Sequence, residues 1–436
     1  MTVTILPASH VESASSRKDI VLPPDKSILH RLLIIGSLTS SRITISNISS
    51  EMIPEDIHST IRVLQQLGVH IDIGASLIHL QGLGLRGFRE PHQPLDCGNS
   101  GTTARLMMGV LAGQTFNSTL VGDDSLSKRP MKRLATLLND SFGANITCLG
   151  EDGLPISIQG TQLHPSREEI SVRSAQIKSA ILLASLYSGG KVSIKEEVIS
   201  RDHTERMLEA FGFLDRSQIL PDEVEYFLPN DLSAASYFIV AAILCRTSIL
   251  LKNVSLNKTR TRFLTILQEC GLTVSILDKK SNWSEEYGDI QVDGSTFAGV
   301  SKHNFTDEDI SLCIDEVPLI AILASQSTGT TTIRNASELR KKESDRITAV
   351  CENLRRFGVQ VQEFEDGLSV VGIADIQGGS VHTYGDHRIA MAFSLLGLVS
   401  SKEVTIPDAG VVSISFPAFF QQLSHFIGNS RVLIKI

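Results

Sequence analysis

Aromatic residues are scarce in this chain, at 5% of 436 residues with a single Trp. Few stacking surfaces are then available for bases, and a net charge of −8 provides no continuous basic face, so a general nucleic-acid binder is excluded. The six cysteines, at 97, 148, 245, 270, 313 and 351, lie far apart and mostly in apolar stretches. With no C-x-x-C and no paired His spacing they read as reduced core thiols; neither a zinc site nor any other metal site is expected. No run of 18 apolar residues occurs, so no membrane span is expected. The opening MTVTILPASH has neither the layout of a signal peptide nor the Arg-rich character of a transit peptide, and a cytoplasmic location is expected. What is present is an ordinary globular composition, 42% hydrophobic and 20% charged, long enough for two or three domains with substantial cores.

Against that acidic background, cations recur at or near the starts of expected helices: Lys26, Arg31, Lys128, Arg129, Lys342, Arg346 and Arg388. A helix N-terminus carries roughly half a positive charge, so a cation there costs about 0.3 to 1 kcal/mol unless an anion is bound. Backbone N–H groups, dipole and cation then all point at one phosphate or carboxylate. The pattern calls for an anionic ligand with more than one charged group.

The chain also repeats itself. An apolar helix, a small-residue turn and a β-branched strand recur at HRLLIIGSLTSSRITISN, ARLMMGVLAGQTFNSTLVG, SAILLASLYSGGKVSIKE, SAASYFIVAAILCRTSILLKN, PLIAILASQSTGTTTIRN and RIAMAFSLLGLVSSKEVTI. Each is followed by an amphipathic helix closing on a glycine, at Gly68, Gly143, Gly212, Gly271, Gly358 and Gly428. Six α/β units suggest two bodies of three, with the apolar helices buried and the amphipathic ones facing solvent. The polar stretch near 279 to 310 and the segment 213 to 230 are the least regular parts.

Several segments carry candidate chemistry. LPPDKSILHR places Lys26, Ser27 and Arg31 within reach of one anion, although a solvated helix end has the same appearance. LDCGNSGTTARL sets small polar residues, Gly101 among them, before an apolar helix, letting backbone N–H groups approach a ligand. In DDSLSKRPMKRL, Lys128 and Arg129 precede Pro130, which suits a first helical position. SAQIKSAILLA carries Ser174, Gln176 and Lys178 into an apolar helix, where unpaired polar groups cost a few kcal/mol, so ligand contact is the better reading. Asp315 and Glu316 open another apolar helix, and Lys341, Lys342, Glu343, Asp345 and Arg346 crowd a further helix start. YGDHRIAM adds Asp386, His387 and Arg388; nothing pairs the His with Ser or Cys for nucleophilic catalysis.

Taken in order, DKSILHR, GNSGTTARL, KRPMKRL, SAQIKSA, RDHTERM, DLSAASYF, KESDRI and YGDHRIAM resemble the 5-enolpyruvylshikimate-3-phosphate synthases, a family of enolpyruvyl transferases, from about residue 22 to 420. The resemblance implies a two-domain inside-out α/β barrel, each domain three copies of an α/β unit with buried helices and outer sheets. It implies domains of 21–229 and of 1–20 plus 230–436, with chain crossovers near 20 and 230. It further implies transfer of the enolpyruvyl group of phosphoenolpyruvate to the 5-hydroxyl of shikimate 3-phosphate, with loss of phosphate and without cofactor. By matching positions, Lys26, Ser27, Arg31, Ser174, Ala175, Gln176, Asp315 and Lys342 are expected to contact shikimate 3-phosphate. Lys26, Gly101, Arg129, Gln176, Arg346 and Arg388 are expected to hold phosphoenolpyruvate. Asp315 is the expected acceptor of the 5-hydroxyl proton, Glu343 the acid toward the methylene carbon, and Lys26, touching both substrates, the third expected catalytic residue.

The match has departures. Ala175 stands where many relatives have a second Ser, with Lys178 or Arg201 as candidate replacements; His203 replaces a frequent Tyr, Glu338 a frequent Asn, and Ile414 a late Lys. A sister enzyme that accepts UDP-N-acetylglucosamine is the nearest rival, but its usual loop Cys is absent from GDDSLSKRPM. A repeat scaffold and an RNA-end-processing protein are the rivals of other classes. Further expectations are a monomer, closure of the two halves on the first substrate, and inhibition by glyphosate competitive with phosphoenolpyruvate, because Gly101 leaves room for its phosphonate.

Overall fold

The computed structural model describes every residue except 8–18, 215–218, 284, 301–303, 374, 429–430 and 436. The chain is a mixed α/β protein that divides into two compact units. The first comprises Pro24–Leu228 with Ser281–Glu285; the second comprises Met1–Pro23, Pro229–Lys280 and Glu286–Ile436.

In the first unit the helices are α1 (Lys26–Ser37), α2 (Glu55–Gln66), α3 (Gly101–Ala112), α4 (Lys132–Phe142), α5 (Ala175–Ser188) and α6 (His203–Ala210). They alternate in character as the periodicity requires. Every residue of α1 from Ile28 to Ser37 is buried, whereas α4 buries only Leu134, Ala135, Leu138 and Phe142, one stripe at helical spacing. Full burial of each Leu or Ile contributes about 1.5 to 3 kcal/mol, so the apolar helices dominate the core energetics. Helices α3 and α5 pack so closely that a methyl group on Gly109 would lie 2.1 Å from the Ala180 carbonyl oxygen. Glycine is required there by space alone.

In the second unit the helices are α7 (Leu232–Leu244), α8 (Arg262–Glu269), α9 (Asp307–Leu312), α10 (Val317–Ser325), α11 (Arg346–Arg356), α12 (His387–Leu396) and α13 (Phe419–Ile427). Here α7, α10 and α12 are buried almost throughout, and α8, α11 and α13 bury one face.

The sheets show why the sequence repeats. Arg42–Ser46 leads into α2 and then into His70–Ile73 and Ile78–Gln81, and the last strand lies between the other two, with Leu80 opposite both Ile43 and Ile71. The same strand, helix, strand, strand order, with the last strand central, recurs at Asn117–Val121 with α4, Ser248–Ser255 with α8 and Thr330–Ile333 with α11. Among the described residues each unit contains three sheets. One sheet of the second unit joins the first strand of the chain to the last, with Thr2 opposite Lys435. All six glycines that close the amphipathic helices have positive φ, between 67° and 97°. That left-handed turn lets each helix stop and the next strand begin.

Three local expectations are corrected. Pro130 does not open a helix: α4 begins at Lys132 after the non-helical Met131, and the backbone N–H groups of Met131 and Lys132 both donate to the Asp152 carbonyl. Lys128 and Lys342 close short 3-10 segments, Leu126–Lys128 and Ser337–Lys341, so of the seven cations singled out only Lys26, Arg346 and Arg388 lie inside a first helical turn. The irregular polar stretch begins within a long hairpin, Thr273–Asn282 with Glu285–Asp293. Its first strand is mostly exposed and so lacks the apolar alternation that marks a strand in sequence.

Candidate active site

In the first unit the candidate residues gather at the starts of α1, α3 and α5. Asp25 caps α1 by accepting from the Ile28 N–H at 3.0 Å, which fixes Lys26 in the first turn; Lys26 Nζ meets Asp56 Oδ2 of α2 at 2.7 Å. Arg31, one turn on, is buried. Its Nε donates to Thr204 Oγ1 at 2.7 Å, its Nη2 to Ser179 Oγ at 3.0 Å and its Nη1 to the Ser27 carbonyl at 3.0 Å. Burial, and after it the neighbouring Arg201, push the Arg31 guanidinium down to about 10, which leaves it charged at neutral pH. Arg201 reaches Ser27 Oγ at 3.4 Å.

Ser100 caps α3, and Gly101 opens it. A methyl group on Gly101 would lie 2.8 Å from Arg105 Nη1 and 3.2 Å from Arg129 Nη1, so this glycine keeps space beside two guanidinium groups. Arg129 donates to Asn99 Oδ1 at 2.6 Å. Gln176, in the first turn of α5, accepts from Arg105 Nη1 at 2.7 Å and donates to Thr102 Oγ1 at 3.0 Å. Ser174 occupies the N-cap and Ala175 the first position of that helix, and both are half-buried.

In the second unit Lys342, Arg346 and Arg388 surround the Asp315 carboxylate. Arg346 Nη1 lies 3.3 Å from Oδ1, Lys342 Nζ 3.6 Å from the same oxygen and Arg388 Nη2 3.4 Å from Oδ2. Glu343 pairs with Arg346 Nη2, one turn away on the same segment. Behind them Asp386, fully buried, accepts from Arg346 Nε at 2.8 Å and from Ser344 Oγ at 3.0 Å, and caps α12 through the Arg388 N–H. Burial opposes its charge, but Arg346 beside it holds the carboxyl below the usual carboxylate range. Burial likewise disfavours the Arg346 cation, and Asp386 and then Glu343 outweigh it and raise its pKa. Three cations and three carboxylates are thus held within one cluster on the starts of α10, α11 and α12.

Other positions fall outside these clusters. Lys178 is buried and paired with Glu196 at 2.9 Å and Glu205 at 2.5 Å, so its cost inside an apolar helix is offset within the protein and ligand contact is not needed to explain it. His203 is buried against Glu285 at 2.7 Å, Glu338 is exposed, and Ile414 ends a 3-10 segment, Ala409–Ile414. The residues that sequence reasoning passed over are Arg105, which meets Gln176, and Asp56 and Thr204, which partner Lys26 and Arg31. Arg105 had a legible signal, a cation inside an apolar helix like Lys178; the others did not. Among the described residues no cluster of His, Cys, Asp and Glu is arranged to hold a metal ion, and no helix is long and apolar enough to cross a membrane.

Cations at helix starts, partnered by carboxylates, define an α/β protein with the charge pattern of a site for a polyanionic small molecule. The sequence profile described as EPSP synthase (3-phosphoshikimate 1-carboxyvinyltransferase) matches residues 12–423. A 3-phosphoshikimate 1-carboxyvinyltransferase of Petrotoga mobilis is 41% identical over 433 residues, covering 96% of this chain and 98% of that one. One of Bacillus cytotoxicus is 41% identical over 419 residues, covering 93% and 96%. A solved EPSP synthase structure from Acinetobacter baumannii superimposes with a TM-score of 0.80 at 32% identity, covering 100% of both chains. The chain belongs to the EPSP synthase family.

Proposed function

We infer that the chain transfers the enolpyruvyl group of phosphoenolpyruvate to the 5-hydroxyl of shikimate 3-phosphate, in the shikimate pathway toward chorismate and the aromatic amino acids. Membership of the family supports the activity. The observation that carries its assignment to residues is the convergence of Lys342, Arg346 and Arg388 on Asp315, with Glu343 paired to Arg346.

Phosphoenolpyruvate presents a phosphate and a carboxylate at once, which suits planar guanidinium forks. In our reading Arg129, Arg346 and Arg388 hold it, with Gly101 and Gln176 beside them, while Ser27, Arg31, Ser174, Ala175, Gln176 and Lys342 receive shikimate 3-phosphate. Lys26 touches both. The incoming anions replace Asp315 and Glu343 as partners of the cations, releasing the two carboxyl groups for proton transfer. Asp315 takes the proton of the 5-hydroxyl as its oxygen bonds to C2 of the donor, and Glu343 delivers a proton to C3, giving a tetrahedral adduct. The C2–O bond to phosphate then breaks, C3 returns a proton, and the enol ether and inorganic phosphate are released. Charge moving to the departing phosphate is stabilised by the same cations.

The finer architecture is part of the same proposal: three α/β repeats per unit around inward helices, supported by the alternating helix burial and the recurring strand order, with domains of 21–229 and of 1–20 plus 230–436. So are a cytoplasmic location, a monomeric state and inhibition by glyphosate competitive with phosphoenolpyruvate. Steady-state assay of phosphate release tests the site. Arg129→Ala, Asp315→Ala and Glu343→Ala should each lose turnover while circular dichroism is retained, and a full-rate Glu343→Ala would refute the acid assignment.

A further inference from the structure

Beneath the first-unit cluster runs a buried chain of hydrogen bonds that the reaction itself does not use. His30 on α1 lies 2.7 Å through Nδ1 from Thr60 Oγ1 on α2. Thr60 Oγ1 lies 2.6 Å from Thr103 Oγ1 on α3, and Thr103 Oγ1 donates to Ser100 Oγ at 2.7 Å. Ser100 also accepts from the Thr103 N–H at 3.1 Å, as the N-cap of α3. All four side chains are buried.

Proton counting gives the chain a direction. A threonine hydroxyl has one proton, and that of Thr103 goes to Ser100, so Thr60 donates to Thr103. The alternative acceptor for Thr60, the Asp56 carbonyl at 3.4 Å, is far longer. Thr60 therefore accepts from His30, whose Nδ1 must carry the proton and whose Nε2 is a buried acceptor with no hydrogen-bond partner among the described residues. Burial first, then Lys26 and Arg31, lower the His30 pKa well below its ordinary value and keep the ring neutral.

The ends of the chain are what matter for function. His30 is one turn along α1 from Lys26, Asp56 is one turn before Thr60 on α2 and binds Lys26, and Ser100 is followed directly by Gly101. We propose that His30, Thr60, Thr103 and Ser100 form a one-way hydrogen-bonded strut, headed by the Nδ1–H tautomer of His30, that positions the first turn of α3 at Gly101 relative to Lys26 for the enolpyruvyl donor. His30 and the two threonines are positioning residues. The claim rests on the assignment of Gly101 and Lys26 made above.

The tautomer is read by nitrogen NMR of the full chain labelled at histidine, with His30→Gln identifying the resonance. Protonated Nδ1 and bare Nε2 from about pH 6 to about pH 8 is expected; an Nε2–H tautomer or a cationic ring overturns the strut. Thr103→Val, nearly isosteric, should raise the KM for phosphoenolpyruvate about tenfold and leave that for shikimate 3-phosphate within about twofold, and Thr103→Ser should restore the wild-type value. Thr60→Val is the second variant and should show the same split. A lower melting temperature with both KM values unchanged, or both raised equally, shows a merely structural chain and overturns the proposal. Wild-type protein that turns over neither substrate sinks the functional reading and the positioning claim together, and the tautomer result still stands by itself.

Discussion

Arg346 combines two burdens in one side chain, since it is among the largest fully buried residues and also carries a charge. Arg346→Ala leaves Asp386 charged and unpaired in the core, so a loss of about 3 to 5 kcal/mol in denaturant unfolding is expected together with loss of activity. Arg129→Ala should also lose turnover, with circular dichroism retained. Asp386 also sets an acid limit. Its folded pKa is lowered, so its contribution is present above the unfolded value of about 3.9 and is lost as pH falls through the lower folded value. His30 acts at milder pH: a lowered folded pKa means the unfolded chain takes up a proton first, so stability declines as pH falls below about 6.5. His30→Gln should flatten that part of the stability profile measured by thermal melting; an unchanged slope would show that His30 is not the group responsible.

At the scale of elements, two glycines make opposite predictions. Gly358 follows α11 with φ of 85°, and an added methyl would meet nothing nearer than Gln377 at 3.5 Å. Gly358→Ala should therefore cost about 1 to 2 kcal/mol of stability through backbone strain alone, with KM values unaltered. Gly101 opens α3 with no such strain, and its methyl would press on Arg105 and Arg129. Gly101→Ala should leave the melting temperature nearly constant and weaken phosphoenolpyruvate and glyphosate binding. The elements were legible wherever hydrophobic period and punctuation agreed, as in α11, where Ile347, Val350, Cys351 and Leu354 are buried and Gly358 ends the helix. The hairpin over Thr273–Asn282 was not, because an exposed strand has no apolar face to announce it. Pro130 misled because the Asp152 carbonyl, brought there by tertiary packing, holds the Met131 and Lys132 N–H groups and the helix starts only at Lys132.

For the whole molecule, the family and its reaction were readable because eight motifs stand in order along nearly the full chain. The ion pairs that set each candidate cation in place were not. Arg346 with Asp386 and Lys178 with Glu196 join segments whose proximity only tertiary packing creates. Light scattering should return the mass of one chain, 47.5 kDa; a dimer mass would refute the monomeric state. The central claim is the choice of acceptor for the enolpyruvyl group. Phosphate release from phosphoenolpyruvate by the purified protein, measured with shikimate 3-phosphate and separately with UDP-N-acetylglucosamine, tests it most directly. Turnover with shikimate 3-phosphate alone is predicted, and release with the nucleotide sugar alone would contradict the account.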